Sequence, residues 1–294
     1  MLKLVVPPNT QPQSIKDYLR RQAGLSLSAW RKIKNNGILT LNGVAVPITA
    51  IVSPGDSIAL SWEETCNIEP KHIPLEICFE DDFLMVINKP AGLLVHPTVK
   101  ENKDTLANGV LFYFREQDLP YSFHPVHRLD RNTSGLILIA KYSHIQNLLS
   151  ADNIKNIKRI YTAVVSGILE NDTGVISDPI GRKTSSIIER EVRDDGQPAV
   201  TYYRRLASYK NANLIELELL TGRTHQIRVH LSHIGHPLLG DDLYGGSQQL
   251  IGRQALHASK LIFEHPITKN PTTVTSPLPN DINSLLNQLS DKFE

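Results

Sequence analysis

The sequence lacks the features that would place a chain in a membrane or outside the cell. Its longest apolar stretches, such as 135–140 and 160–165, are far shorter than the roughly 20 apolar residues that a membrane-spanning helix needs. The N-terminal segment MLKLVVPPNTQPQ has neither a long apolar run nor a small-residue cleavage site, so we predict no secretory signal. These absences exclude a membrane-spanning chain and favour a cytoplasmic protein.

Cysteine is also rare. Cys66 and Cys78 are the 2 cysteines of the chain, and they could pair, but without an export signal two reduced thiols are the better prediction. A composition with 40% hydrophobic and 21% charged residues excludes a disordered chain. The 294 residues allow one large domain, or a medium domain with a small one.

The formal net charge of +1 hides an asymmetry between a basic N-terminal segment and a slightly acidic remainder. Residues 1–62 contain two acidic side chains, Asp17 and Asp56, against seven basic ones. A basic module attached to a near-neutral body suggests that the small part binds a polyanion, although a solvated basic helix face explains the charge equally well. The seven basic residues are Lys3, Lys16, Arg20, Arg21, Arg31, Lys32 and Lys34.

The basic segment has the pattern of a small independent unit. Apolar residues recur at helical spacing from Ile15 to Ala23, after Thr10 or Ser14 as possible caps, so that Lys16 and Arg20 would share one exposed face. This pattern predicts a first helix with two basic side chains available for binding.

A second helix is predicted to begin at Ser26 and to end at Asn36-Gly37, where a left-handed glycine would stop it. Trp30 and Ile33 would face inward, and three basic residues would face outward. Short strands at 38–41 and 44–46 around Asn42-Gly43 predict a hairpin, and a last strand is expected at 57–62. The three outward-facing residues are Arg31, Lys32 and Lys34.

The remainder predicts a mixed α+β body. Residues 63–74 show no periodicity and are read as a linker, which leaves 1–62 and 75–294 as domains. Helices are predicted at 224–234 and 281–293. Because strands and helices do not alternate regularly, we expect a mainly antiparallel sheet rather than a doubly wound one. Strands are predicted at 84–88, 135–140, 159–165, 200–208 and 214–220.

The densest polar segment is HRLDRNTSG, which enters an apolar strand with Asp130 between two arginines. Asp, Asn, Thr and Ser commonly satisfy turns through nearby backbone N–H groups, and on the local pattern alone that structural interpretation is favoured. The other motifs of the chain favour a functional role for Asp130 over the structural one.

Two family resemblances cover most of the chain. The segments GLSLSAWRKIKNNGILTLNG and SPGDSIAL resemble the S4 RNA-binding domain, except that Leu27 stands where the family usually has an arginine, so that a phosphate contact is lost. Four ordered stretches are similar to the RluA-type pseudouridine synthases: NKPAGLLVHP, HRLDRNTSGLILIAK, RIYTAVVSG and LLTGRTHQIRVHLSHIGHPLLGDDLYGG. The resemblance implies isomerisation of uridine in RNA to pseudouridine, with no metal and no cofactor.

The resemblance also implies residue roles. Asp130 would be the nucleophile, attacking either the ribose or the base, and Arg223 would be the ion-pair partner that keeps it ionised. Tyr161 would stack on the extruded uracil and assist removal of the proton from the base carbon, although a tyrosine in an apolar strand is usually a core residue. Arg128 would act as a wedge or phosphate clamp, or form a structural salt bridge. His127 is more simply structural than a general base.

Two alternatives remain open from the sequence. His225, His230, His233 and His236 crowd one segment, as the zinc site of a hydrolase would require, but the spacing fits poorly and no HExxH pattern occurs. An RNA-binding protein without activity is the second alternative, which the intact Asp130, Tyr161 and Arg223 disfavour. The favoured substrate is large-subunit ribosomal RNA, with transfer RNA second, and a monomer is the default.

Overall fold

Two short helical segments and a four-stranded antiparallel sheet make up the N-terminal part, residues 2–62. The computed structural model describes residues 2–62, 67–98, 104–150 and 157–290. The sheet has the order β1-β6-β3-β4, and β2 pairs with β5. Its elements are β1 (Leu2–Val5), β2 (Gln13–Ser14), α1 (Ile15–Asp17, which continues as a π-helical turn, Tyr18–Gln22), α2 (Leu27–Asn36), β3 (Ile38–Leu41), β4 (Val44–Ala45), β5 (Ile51–Val52) and β6 (Ser57–Ser61).

Serine side chains begin both helical segments. The hydroxyl of Ser14 accepts the N–H of Asp17 at 3.1 Å, and that of Ser26 accepts the N–H of Ala29 at 3.1 Å. These bonds satisfy N–H groups that the first turn leaves without a helical partner. Trp30 and Ile33 are buried, as the sequence predicts.

Glycine acts differently at the two turns of this part. Asn42 and Gly43 both have positive φ values, 52° and 84°, which is the type I′ geometry that the predicted hairpin needs. Gly37 ends α2 in an extended conformation with φ −94°, not in the expected left-handed one. Glycine is required there for space, because a Cβ would lie 2.5 Å from Cα of Ile33.

The body is built on a mainly antiparallel sheet, which confirms the predicted fold class. Its main path runs β12-β15-β16-β11-β17-β10-β8-β7, with β18 on β17 and β9 on β10. The strands are β7 (Ile77–Glu80), β8 (Leu84–Lys89), β9 (His124–Pro125), β10 (Ser134–Ala140), β11 (Lys158–Ser166), β12 (Thr173–Ile176), β13 (Ile180–Arg182), β14 (Arg190–Val192), β15 (Thr201–Tyr209), β16 (Ala212–Leu219), β17 (Leu256–Glu264) and β18 (Pro271–Thr275).

All five predicted body strands are present as β8, β10, β11, β15 and β16. The two predicted helices are confirmed over shorter spans, and two further helices were not predicted. The prediction for 291–293 lies outside the described residues. The helices of the body are α3 (Leu106–Glu116), α4 (Ser143–Ser150), α5 (Gln226–His233) and α6 (Asn280–Ser290).

The N-terminal part packs on the body through apolar side chains. Its buried residues belong to the same cluster as Leu136 and Leu138 of β10 and Ile145 of α4. Of the predicted linker, residues 67–74 contain no helix or strand but are bonded to α3: the Asn108 side chain donates to the Glu69 carbonyl at 2.8 Å. This stretch is therefore anchored to the body.

Two further observations concern the sequence expectations. No helix of the described residues is long and apolar enough to cross a membrane. Cys78 is exposed with a free thiol, and Cys66 lies outside the described residues.

Candidate active site

Asp130 lies in the loop that joins β9 to β10, at the edge of the parallel contact between β10 and β17. Its carbonyl accepts the N–H of Thr133 at 3.2 Å, so the loop turns back directly into the strand. The side chain is 27% exposed. The loop therefore presents a carboxylate at the surface of an otherwise buried sheet.

Arg228 of α5 contacts this carboxylate, with Nη1 3.3 Å from Oδ2 of Asp130. The Arg228 side chain is only 7% exposed and also forms two 2.8 Å bonds to the fully buried carboxylate of Asp241. Its guanidinium lies over the ring of Tyr244, 4.9 Å from the centroid. Arg228 is thus fixed from two sides before it reaches Asp130, and its guanidinium holds Oδ2 of that carboxylate in a defined position.

The prediction that Arg223 is the ion-pair partner of Asp130 is wrong. Arg223 is exposed, and its Nε donates to the carbonyl of Pro198 at 3.0 Å. The reason is the start of α5: the helix begins only at Gln226, so Arg223 lies in the preceding turn while Arg228 is on the buried face. Both arginines occur in the motif TGRTHQIR, whose spacing alone does not show which one points inward.

The two oxygens of Asp130 have different surroundings. Oδ2 is the atom near Arg228, and it also lies 3.9 Å from Nε2 of His225. Among the described residues, Oδ1 has no hydrogen bond or ion pair. A carboxylate held by one oxygen with the other available can act as a nucleophile or as a base.

Tyr161 of β11 is near enough to Asp130 for the charge of the carboxylate to act on its hydroxyl. Its ring is buried, and the pairing of β11 with β17 shifts register between Ile160 and Tyr161, a β-bulge of the kind often found at active sites. Burial raises the pKa of Tyr161 to about 12; the nearby Arg159 cation lowers it and the Asp130 charge raises it. The phenol is therefore protonated near neutral pH.

Lys89 is a fully buried residue that sequence reasoning missed, although it belongs to the quoted motif NKPAGLLVHP. Its ammonium donates to three backbone carbonyls, those of Pro90, Leu93 and Arg131, at 2.8 to 3.0 Å. Burial lowers the pKa of Lys89 to about 7, against the charge of Asp130, which raises it. The bonds tie the loop after β8 to the loop of Asp130.

His225 and Tyr244 form a second layer around Asp130. His225 precedes α5 in a left-handed conformation with φ 57°. Its Nδ1 lies 2.8 Å from the Tyr244 hydroxyl, which accepts the backbone N–H of Arg190 at 2.9 Å. Neither residue was given a catalytic or positioning role from the sequence.

Arg128 and His127, the residues before Leu129 in the motif, point in different directions. Arg128 is exposed and forms no ion pair within the described ranges, so it is available to a ligand. His127 is buried, and its Nε2 accepts the N–H of Leu138 at 3.2 Å. Burial lowers the pKa of His127 to about 3. An imidazole whose lone pair already accepts a hydrogen bond is not a general base.

Two of the other three histidines of the crowded segment are hydrogen-bonded to separate parts of the body, and His233 is exposed. His230 bonds to the Thr201 hydroxyl and the Asp178 carbonyl, both at 2.9 Å, and His236 bonds to the Ser166 carbonyl at 2.9 Å. Across the part of the chain that the structure describes, no group of three or more potential metal ligands is found.

The predicted RNA-binding residues of the N-terminal part are exposed with one exception. Lys16, Arg31, Lys32 and Lys34 are at the surface. Arg20 is half-buried, and its Nη1 donates to the Leu25 carbonyl. Arg20 is therefore less available to RNA than Lys16, because its guanidinium already bonds the backbone.

Comparison with known proteins identifies the family. Residues 83–233 match the family described as RNA pseudouridylate synthase. The Bacillus subtilis protein YjbO, named as an uncharacterised RNA pseudouridine synthase, is 40% identical over 281 residues, 93% of this chain and 98% of the relative. The ribosomal large subunit pseudouridine synthase D of Pseudomonas aeruginosa is 39% identical over 285 residues, 91% of this chain and 88% of the relative.

The solved structures agree on the fold. Human RNA pseudouridylate synthase domain containing 4 matches with a TM-score of 0.60 at 24% identity, covering 73% of this chain and 93% of the human one. At that identity the likeness concerns the fold alone. The family match and the two relatives establish that the chain belongs to the RluA-type RNA pseudouridine synthases, isomerases that act on RNA.

Proposed function

We propose that this pseudouridine synthase uses Asp130 as its nucleophile, without a cofactor, on uridine in large-subunit ribosomal RNA. The observation that carries the proposal is the pair of unequal carboxylate oxygens: Oδ2 lies 3.3 Å from Arg228, while Oδ1 has no partner among the described residues. A nucleophile needs this combination of a fixed geometry and an available lone pair.

The reaction is balanced without an oxidant, a reductant or a metal. The bond between the ribose C1′ and the base N1 breaks, the base rotates, and a bond from C1′ to C5 forms. C5 then loses its proton, and N1 gains one. Oδ1 of Asp130 supplies an electron pair, to the ribose or to the base, and recovers it at the end. Arg228 holds Oδ2 in place while Oδ1 forms and then releases its bond.

Tyr161 lines the pocket for the uracil ring and does not itself remove the proton from the uracil. Since its pKa is raised to about 12, a phenolate is rare near neutral pH, and a neutral phenol removes a proton poorly. Its ring lies within reach of the Asp130 charge, and an aromatic face there is suited to stack on the extruded uracil. Proton removal assisted by Tyr161 would need a second group to accept the phenol proton.

Arg128 is suited to the extrusion step. It is exposed within two residues of Asp130, so its guanidinium can take the place of a base that leaves the stack or hold the adjacent phosphate. Loops and bulges are the expected targets, because extrusion costs least there.

The choice of substrate rests on two observations. The relative from Pseudomonas aeruginosa carries the name of a ribosomal large subunit enzyme. The N-terminal part, an S4-like unit by its sequence, exposes Arg31, Lys32 and Lys34 for phosphate contacts in structured RNA. Action on ribosomal RNA agrees with a location in the cytoplasm. We propose that the enzyme is a monomer.

A pseudouridine map of total RNA by carbodiimide chemistry tests both parts of the proposal. A site in large-subunit ribosomal RNA should vanish when the gene is deleted and return with the wild-type gene, but not with Asp130→Asn, which keeps the shape and removes the charge. Purified Asp130→Asn should bind the RNA within a few-fold of wild type.

The control is Asp242→Asn, which changes an exposed carboxylate next to Asp241 and should restore the site. If Asp130→Asn restored the pseudouridine site, Asp130 would not be the nucleophile. A vanishing site in transfer RNA alone would reject the ribosomal substrate and leave the chemistry intact.

A further inference from the structure

His225 is the second group near the Asp130 carboxylate, and its backbone is unusual. It adopts φ 57° directly before α5 begins, a conformation that costs a residue with a side chain about 1 kcal/mol or more. The conformation swings the imidazole between Tyr244 and Asp130 and leaves the ring only 13% exposed. Because this strained, buried imidazole lies near the Asp130 carboxylate, the position of its ring proton decides whether it can donate to that carboxylate.

The hydrogen bonds of Tyr244 indicate which ring nitrogen of His225 carries the proton. The Tyr244 oxygen accepts the backbone N–H of Arg190 at 2.9 Å, and we infer that its single O–H donates to Nδ1 of His225, which lies 2.8 Å away. If Nδ1 accepts, a neutral imidazole carries its proton on Nε2. Nε2 is the nitrogen that faces Oδ2 of Asp130, a group that only accepts when ionised.

Burial and four charged or ionisable groups set the charge of this imidazole. Burial is the largest influence and lowers the pKa of His225; Arg228 and Arg190 lower it further, while Asp130 and Asp241 raise it. The net direction is downward, so the ring is neutral near neutral pH. The Tyr244 hydroxyl does not oppose this state, because it donates to a neutral ring.

We propose that His225 is a positioning residue whose Nε2–H donates to Oδ2 of Asp130 and, together with Arg228, orients Oδ1 toward the uridine. The separation of Nε2 and Oδ2 is 3.9 Å, longer than a hydrogen bond, and contacts of catalytic groups commonly tighten when the substrate binds. Tyr244 then supports both partners of Oδ2, with its hydroxyl on His225 and its ring under Arg228. The inference rests on the proposed role of Asp130.

The activity test compares His225→Gln with His225→Met. The two side chains have similar length and impose the same backbone strain, but only glutamine can donate an N–H near the position of Nε2. Single-turnover pseudouridine formation on a ribosomal RNA fragment should be about tenfold slower in His225→Met and within about threefold of wild type in His225→Gln. RNA affinity should not change in either variant.

His233→Gln is the control, since His233 is exposed at the end of α5, and it should match wild type. Equal rates for His225→Gln and His225→Met would overturn the proposal. If Asp130→Asn were active, the nucleophile would be wrong, and that failure is separate because it does not depend on His225.

A spectroscopic test needs no active variant. Two-bond ¹H–¹⁵N spectra of the wild-type protein with ¹⁵N-labelled histidine report which ring nitrogen is protonated, and the His225 signal is the one absent from His225→Gln. We expect a neutral ring with the proton on Nε2. A proton on Nδ1 would overturn the proposal even if the activity pattern held.

Discussion

Arg228 joins two carboxylates that have opposite surroundings. Asp241 is fully buried and accepts two 2.8 Å bonds from the guanidinium, while Asp130 is 27% exposed and lies 3.3 Å from Nη1. A lysine has a single ammonium and cannot reproduce the planar fork that serves both groups. The shape of the side chain, and not only its charge, therefore matters at this position.

Arg228→Lys should lower the single-turnover rate by about a hundredfold, because either Asp241 or Asp130 loses its partner. Thermal unfolding should show a loss of about 2 kcal/mol, because a buried carboxylate keeps only part of its hydrogen bonding. Arg223→Lys is the matched control, and both quantities should stay near those of wild type. A comparable loss of rate in Arg223→Lys would restore the partner that the sequence suggested.

The predictions for the site depend on more than local sequence. Asp130 and Tyr161 can be selected only because their motifs resemble those of a known family, since the local pattern of each also fits a turn or a core residue. The partner of Asp130 is set by the first residue of α5, and His225 shifts that start by adopting a left-handed conformation. Tyr244 contacts Arg190, and Lys89 contacts Arg131, from distant parts of the sequence, which no spacing rule reveals.

At the scale of elements, the strand that follows Asp130 is limited by the close approach of its neighbour. Gly135 has φ 111°, and a Cβ there would lie 2.3 Å from the carbonyl oxygen of Ala258. The contact occurs where β10 and β17 pair in parallel, at Ser134 with His257 and Gly135 with Ala258. Glycine at this position allows the loop of Asp130 to enter the sheet.

Gly135→Ala should therefore destabilise the fold by about 3 kcal/mol or more, since backbone atoms must move to make room for the methyl group. The comparison is Gly252→Ala, where no atom lies within 4 Å of the added Cβ and φ is not positive, so stability should change little. Denaturant unfolding of both variants measures the difference. Equal midpoints would show that β10 and β17 separate at no cost.

One helix that sequence reasoning missed, α3, has a local signal that conflicts with its packing. The sequence of α3 contains Asn108-Gly109, a pair that commonly marks a turn. In the fold, Asn108 belongs to a capping box with Thr105 and donates to the Glu69 carbonyl. A Cβ at Gly109 would lie 3.0 Å from the Ile73 side chain, so tertiary contacts override the local preference.

At the scale of the whole molecule, the basic N-terminal part and the body are joined by an apolar interface. Removal of residues 1–62 would take away part of the apolar cluster that also contains Leu136 and Ile145, so a deletion would mix lost stability with lost binding. Charge substitutions on exposed positions avoid this problem. Arg31, Lys32 and Lys34 are suitable because all three are exposed on α2 and none forms an ion pair within the described residues.

The triple variant Arg31→Gln, Lys32→Gln and Lys34→Gln should bind ribosomal RNA fragments more weakly and with a smaller salt dependence. Each lost phosphate contact reduces the slope of log K against log salt by about 0.7 to 0.9, so loss of all three contacts reduces it by about 2 to 3. The control replaces Lys158, Lys210 and Lys269, also exposed, with glutamine, which removes the same charge from the body. If the N-terminal part is a specific phosphate contact, only the first variant changes the slope. If both variants reduced the slope by the same amount, the basic residues would act through net charge alone, and the RNA would be held by the body around Asp130.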